Sequence, residues 1–231
     1  PNVSFKNLFV SRGCPAEKMQ IVMNSPQQEI FDPDRFTADS ENDGDPTELR
    51  VMHHGSIVHR HGVDVLVEAI AVARPSIKVR LDIYGTATPF LAEVLETARR
   101  CGVDDIVHYQ GALDQAGVAR AIRRCHVGVV PNRRSVFTNL NFPTRLFEYL
   151  AMHRPVIAPN SIGIRDCFGD GDMIYFNQGD VSDLAAKLLW VHAHPEEAKA
   201  IVARGMAIYR RHLWVHEKSR LQKWLSSLVG A

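Results

Sequence analysis

The chain has 231 residues, with 27 Lys+Arg against 26 Asp+Glu for a formal net charge of +1, and is 45% apolar and 23% charged. That balance excludes a disordered chain, and the lack of a basic excess argues against a general nucleic-acid or anionic-membrane binder. No run approaches the roughly 18 uninterrupted apolar residues that a membrane-spanning helix needs, so no transmembrane segment is expected.

Pro1 is followed by polar residues without the basic-then-apolar run of a signal peptide, and a start other than Met fits a piece of a longer polypeptide. Cys14, Cys101, Cys125 and Cys167 form neither a CxxC pair nor a zinc pattern and read as reduced packing residues in a cytosolic protein. Residues 1–37 lack a clear period; Pro15, Pro26 and Pro33 punctuate them around a short strand-like run, Met19 to Met23. Residues 38–48 are acidic, short-sided and turn-rich, a linker or exposed loop. From Leu49, short apolar runs alternate with helical periods. Leu49–His54 reads as a strand, and Val63, Leu66, Val67 and Ile70 share one helix face. Val79–Tyr84 is the next strand, Phe90 to Ala98 a helix, Ile106–Tyr109 a strand, Val118 to Ile122 a short helix and Val127–Val130 a strand. A helix over Pro143–Met152 and strands at Pro155–Ala158 and Met173–Phe176 follow, then helices near 181–193, 195–211 and 214–229. This alternation predicts an α/β fold, a Rossmann-like parallel sheet with helices on both faces. Right-handed crossovers bring the carboxyl ends of the strands to one edge, where ligands bind. The loops at that edge are 55–62, 85–89, 110–114, 131–143 and 159–164.

The first loop, Gly55-Ser56-Ile57-Val58-His59-Arg60-His61-Gly62, follows a strand and opens a helix, the place for an anion. It is neither a GxGxxG fingerprint nor a GxxxxGK loop, and Arg60 and His61 add local positive charge; a plain turn with basic side chains is the blander reading. In the segment from Phe142 to Ala158, Pro143 sits in the expected first turn and Leu146, Phe147 and Leu150 face the sheet. Glu148 lies about 7.5 Å along the axis from Pro143 at ~1.5 Å per residue. A carboxylate there can accept hydrogen bonds from sugar hydroxyls while free N–H groups at the helix start hold a phosphate; a solvated surface acid is the alternative. Asp32-Pro33-Asp34, Asp43-Gly44-Asp45 and Asp170-Gly171-Asp172 fall in turn-rich surroundings, so no metal site is expected. His212 and His216 are spaced i, i+4 but lack the Glu of HExxH, and His53 and His54 alternate on the first strand, so one of them should be buried.

Taken in order, several segments resemble the carboxyl-terminal, nucleotide-sugar-binding half of the GT-B glycosyltransferases of group 1, the GT4-type retaining enzymes. These are Gly13-Cys14-Pro15-Ala16-Glu17-Lys18 with Asn24 and Phe31, Gly55 to Gly62 followed by Asp64, Leu66 and Glu68-Ala69, Ile83-Tyr84-Gly85, Val107–Gly111, and Pro143-Thr144-Arg145 through Glu148-Tyr149-Leu150-Ala151 to Pro155-Val156-Ile157-Ala158. The resemblance runs from about residue 11 to the end. It implies that residues 1–37 are the end of an N-terminal domain plus connector, and that 49–231 form the nucleotide-sugar-binding domain with its C-terminal helices. It implies metal-independent transfer from a nucleoside-diphosphate sugar to an acceptor, with no further cofactor, in polysaccharide or cell-envelope glycan synthesis. The acceptor-binding N-terminal domain would be missing, so the chain alone is expected to bind donor and turn over little. Localisation would be cytoplasmic, peripheral at the inner face of the membrane through that missing domain.

By position, the resemblance assigns Gly55, Ser56 and His61 to the first phosphate loop, and Asn141, Phe142, Pro143 and Thr144 to the pyrophosphate end of the later helix. Glu148 would hold the ribose, and Gly111, Ala112 and Leu113 would offer backbone to the base. Arg133 would face the same cleft. Glu148 and Arg60 are the catalytic candidates. The family's Arg after the first loop Gly and Lys before the last are Ser56 and His61 here, and the first of its paired acids is Leu140, as in members with the Pro-Thr-Lys/Arg variant. Two other readings use the same residues: a non-catalytic nucleotide-sugar-binding or scaffolding domain, and a GT-B-like sugar-nucleotide epimerase.

Overall fold

The computed structural model describes residues 2–36, 45 and 47–229. Most of the acidic stretch read as a linker, including Asp43 and Gly44, lies outside the described residues. Six strands form one parallel sheet in the order β3-β2-β1-β4-β5-β6. They are β1 (Leu49–His54), β2 (Val79–Tyr84), β3 (Val107–Gly111), β4 (Val127–Val129), β5 (Val156–Pro159) and β6 (Ile174–Phe176). The strand order reverses at β1, beside which β4 pairs on the other flank from β2. That is the switch point at which a crevice opens in sheets of this kind.

Helices cover both faces. On one, α2 (Val63–Ala73), α3 (Phe90–Arg100) and α8 (Val181–Ala193) enclose Val51, Leu81 and Ile83. On the other, α4 (Gln115–Arg124), α6 (Arg145–Ala151) and α9 (Pro195–Tyr209) enclose Met52, Val130 and Ala158. The inner strands β4 and β5 are therefore buried throughout and read as short apolar runs, whereas β2 alternates buried Val79, Leu81 and Ile83 with partly exposed Arg80, Asp82 and Tyr84. Leu66, Ile70, Leu81 and Ile83 lose all contact with water, each worth about 1.5–3 kcal/mol.

Five segments depart from the sequence reading. The aperiodic start contains α1 (Val3–Ser11). Asn2 caps it by accepting from the Phe5 amide at 3.0 Å, and its side-chain amide donates to Leu140 O at 2.7 Å and Gly163 O at 3.3 Å. The run Met19 to Met23 is not a strand; Met23 N donates to the buried Glu217 carboxylate on α10 (Trp214–Val229) at 3.1 Å. Two expected loops hold short helices, α5 (Val136–Leu140) and α7 (Ile162–Arg165). A reciprocal Ser135–Thr138 capping box starts α5. Finally, α6 begins at Arg145, not Pro143. The carbonyls of Pro143 and Thr144 accept from Leu146 N at 3.1 Å and Phe147 N at 2.9 Å, a tight turn preceding the helix.

Candidate functional site

At the carboxyl edge, β1 and β2 end side by side on glycines. Gly55 has φ 124° and Gly85 φ 152°, and a Cβ on Gly85 would overlap the Gly55 carbonyl, so only glycine permits this approach. Gly55 N donates to Tyr84 O at 3.0 Å, and Gly85 N to Gly111 O at 2.8 Å. Beyond them lies a cleft of about 250 Å³ lined by His54, Gly55, Ser56, Tyr84, Gly85, Thr86, Ala112, Leu113 and Val118. Gly55, Ser56, Ala112 and Leu113, named from separate loops, thus meet at one cavity.

The rotation of α6 is set by a glycine in the sheet. The wholly buried Tyr149 ring lies where a Cβ on Gly128 would be, and its hydroxyl donates to Met52 O at 3.1 Å. One residue earlier, roughly 100° around the helix, Glu148 turns to the end of β1. Its Oε2 lies 3.2 Å from His54 Nε2, with 20% of the side chain exposed. Burial pushes the Glu148 carboxyl up to about 7, partly offset by the Arg145 guanidinium. Burial, then Arg145, hold His54 down to about 3. The histidine is therefore uncharged at neutral pH, and the contact is no ion pair there; nor is His54 Nε2 aligned for a hydrogen bond. His53 is buried as well, where one of the two was expected to be, because β1 is covered on both faces; its Nδ1 lies 3.0 Å from Val129 O.

Arg145 completes the cluster. Its Nη1 donates to His54 O at 2.7 Å and lies 3.3 Å from His53 Nε2. The guanidinium covers Gly55, where a Cβ would meet it at 3.1 Å. The sequence pattern marked Arg145 within the motif and His54 on the first strand but assigned neither a role at the site. A basic residue directly after Pro-Thr was the available signal; its neighbours, from β1, were not readable.

The remaining predicted residues sit as follows. His61, expected to add positive charge, does not: burial and Arg145 hold it down to about 4, and its Nδ1 lies 2.7 Å from Ser56 O. Arg60 is exposed, and its carbonyl accepts from Arg133 N at 3.0 Å. The Arg133 guanidinium is paired with Asp64 at the start of α2, bracing the first loop. Asn141, Phe142, Pro143 and Thr144 join α5 to α6 and do not line the cleft. The Phe142 ring packs on Phe147, with centroids 4.8 Å apart. The first-turn amides expected to hold a phosphate are partly used up, since those of Leu146 and Phe147 bond within the turn. Asp170 pairs with Arg165, and Asp172 accepts from Gly169 N at 3.0 Å. Among the described residues, no group of three or more His, Cys, Asp or Glu side chains is placed to hold a metal ion. No described helix is long and apolar enough to cross a membrane.

The fold is that of several solved glycosyltransferases. The Anabaena protein HepE, solved with UDP and glucose, superposes with a TM-score of 0.83 at 16% identity, over 100% of this chain and 62% of its own. HepE has also been solved with UDP-glucose. A glycosyltransferase from Rickettsia africae gives 0.84 at 15% identity, over 100% of this chain and 63% of its own. The lipopolysaccharide outer core galactosyltransferase WaaB gives 0.70 at 16% identity, over 98% and 60%. The chain thus spans about three fifths of these proteins. No curated protein matches it in sequence. The profile of the family "Glycosyl transferases group 1" matches residues 48–194, from the start of β1 to the end of α8 and so across the whole cleft; the chain belongs to that family.

Proposed function

We propose that the chain is the donor-binding part of a retaining, metal-independent glycosyltransferase that draws on a nucleoside-diphosphate sugar. The observation that carries this reading is the Glu148 carboxyl group, held 3.2 Å from His54, a residue that lines a cleft in which the backbones of Gly55 and Gly85 meet. The apolar end at Ala112, Leu113 and Val118 suits a flat base. An ionised Glu148 would accept from ribose hydroxyls, and the side-chain-free Gly55 and Gly85 leave room for a diphosphate beside them. In transfer, the bond from the anomeric carbon to the diphosphate breaks, one to an acceptor hydroxyl oxygen forms with the same configuration, and the hydroxyl's proton passes to the departing diphosphate. Charge then builds on the departing phosphate, where fixed dipoles and cations are most effective. The UDP and UDP-glucose bound by HepE, a protein of the same fold, support a uridine donor. The likeness to WaaB is in keeping with a cell-envelope or exported polysaccharide as product. In the architecture the chain resembles, the acceptor meets a second Rossmann-like domain, so these 231 residues are expected to bind donor and to transfer little.

Calorimetric titration with UDP-, GDP- and ADP-glucose in excess chelator tests this. Binding of one of them, weakened at least about tenfold in Glu148→Ala, is the expected result; one lost charge-assisted hydrogen bond is worth about 1.5–3 kcal/mol. Absence of binding by all three, or an unchanged affinity in the variant, would refute it.

A further inference from the structure

We infer that Arg145 is the group that receives the diphosphate of the nucleotide, an inference that rests on the donor-binding reading above. Three observations converge on it. First, the guanidinium lies directly over Gly55, within 3.1 Å of where a side chain would begin, at a residue that lines the cleft. Second, it is largely buried yet has no carboxylate partner within ion-pair distance among the described residues. Only Nη1 is engaged, by His54 O and the His53 ring, so Nε and Nη2 hold no bond to a described residue. Third, the other basic side chains of the first loop do not serve: His61 is uncharged at neutral pH, His59 is exposed and sets its ring edge-on against Phe90 at 5.4 Å, and Arg60 stands out in solvent, where its field is screened.

Withdrawing a cation from water without a counter-ion is costly. The fold maintains that cost at Arg145, and an incoming diphosphate would relieve it. Guanidinium geometry suits two phosphate oxygens at once. The anchored Nη1 fixes the plane beforehand, so little side-chain freedom is lost on binding. The groups facing Arg145 are His53 and His54 from β1, His61 and Arg60 from the first loop, and Glu148 and Tyr149 from its own helix. Of these only Glu148 carries negative charge when ionised, and it stays beyond ion-pair distance. The helix dipole is not invoked, since α6 is short and its first-turn amides are partly used internally.

The test compares UDP with uridine on the wild type, Arg145→Gln, Arg145→Lys and Arg60→Gln (or the diphosphate and nucleoside of whichever base the wild type takes). Arg145→Gln should weaken UDP about ten- to a hundredfold, as expected for a lost charge-assisted contact, while leaving uridine within about threefold. Arg145→Lys should recover part of the loss, and Arg60→Gln should move UDP by less than about threefold. A shallower salt dependence of UDP affinity in Arg145→Gln would follow from the removed charge. If Arg145→Gln keeps the advantage of UDP over uridine, or if both ligands weaken together, Arg145 is structural and the inference falls while the donor reading stands. If Arg60→Gln loses as much as Arg145→Gln, the charge is carried elsewhere. A wild type that binds no nucleoside diphosphate removes the donor reading, and this inference with it.

Discussion

Glu148→Gln should stabilise the protein at pH 8 and leave it nearly unchanged at pH 4. In the unfolded chain this carboxyl ionises near 4.5, whereas in the folded protein burial holds it up to about 7. Between those values the folded state keeps a proton that the unfolded state has released, so stability falls as pH rises through the window. Below pH 4.5 both states carry the proton and the residue costs nothing. Above 7 the full cost is present: at about 1.4 kcal/mol per pH unit, the gap from 4.5 to 7 amounts to about 3 kcal/mol. Solvent reaching the exposed fifth of the side chain makes this an upper figure. Gln has the shape of the protonated acid and no charge to desolvate. Urea unfolding of both proteins from pH 4 to 8.5 should show curves that coincide at the acid end and separate towards 3 kcal/mol at the alkaline end. Equal effects at both ends, or a variant less stable at pH 8, would show that the carboxylate is a structural partner instead of a strained site residue.

The same carboxyl links nucleotide affinity to pH: UDP binding to the chain should strengthen from pH 6 to 8 as Glu148 ionises, and a flat profile in calorimetry would contradict its role as acceptor for ribose hydroxyls. Gly128→Ala drives a methyl group into the Tyr149 ring; overpacking of this kind costs about 1–3 kcal/mol, measurable as a lower urea midpoint with unchanged slope. Gly85→Ala must push the Gly55 carbonyl aside, so it should lower both stability and UDP affinity. Gly102→Ala, with a positive φ but nothing within 4 Å of the new methyl, should cost only about 1 kcal/mol of backbone strain and leave binding intact. Glu217→Ala strips acceptors from Met23 N, His212 and Arg220 around a fully buried carboxylate. It should lose about 1–3 kcal/mol, and limited proteolysis should then cut near residues 19–24 first.

How much of this was readable beforehand varies from element to element. β1 and β2 begin and end where the sequence pattern places them, because Leu49, Val51 and Met52 and then Val79, Leu81 and Ile83 must leave water, and the turns after both strands demand glycine. The cleft's position followed from topology alone: once the sheet is parallel, the loops after β1, β2 and β3 must share an edge. α1 was not readable, since its stripe is weak and its cap is tied to Leu140 and Gly163 more than 130 residues away. Phe142, proposed for the ligand, is spent on core packing, which no spacing announces. Local pattern thus dictated which segments would hide from water and where a ligand would lie. The electrical state of the pocket came from assembly: His61 neutral, Glu148 reluctant to ionise, Arg145 charged with no carboxylate at ion-pair distance among the described residues. Those properties depend on which groups are packed together and stripped of solvent, and Tyr149 against Gly128 settles that for α6 across 21 residues of chain.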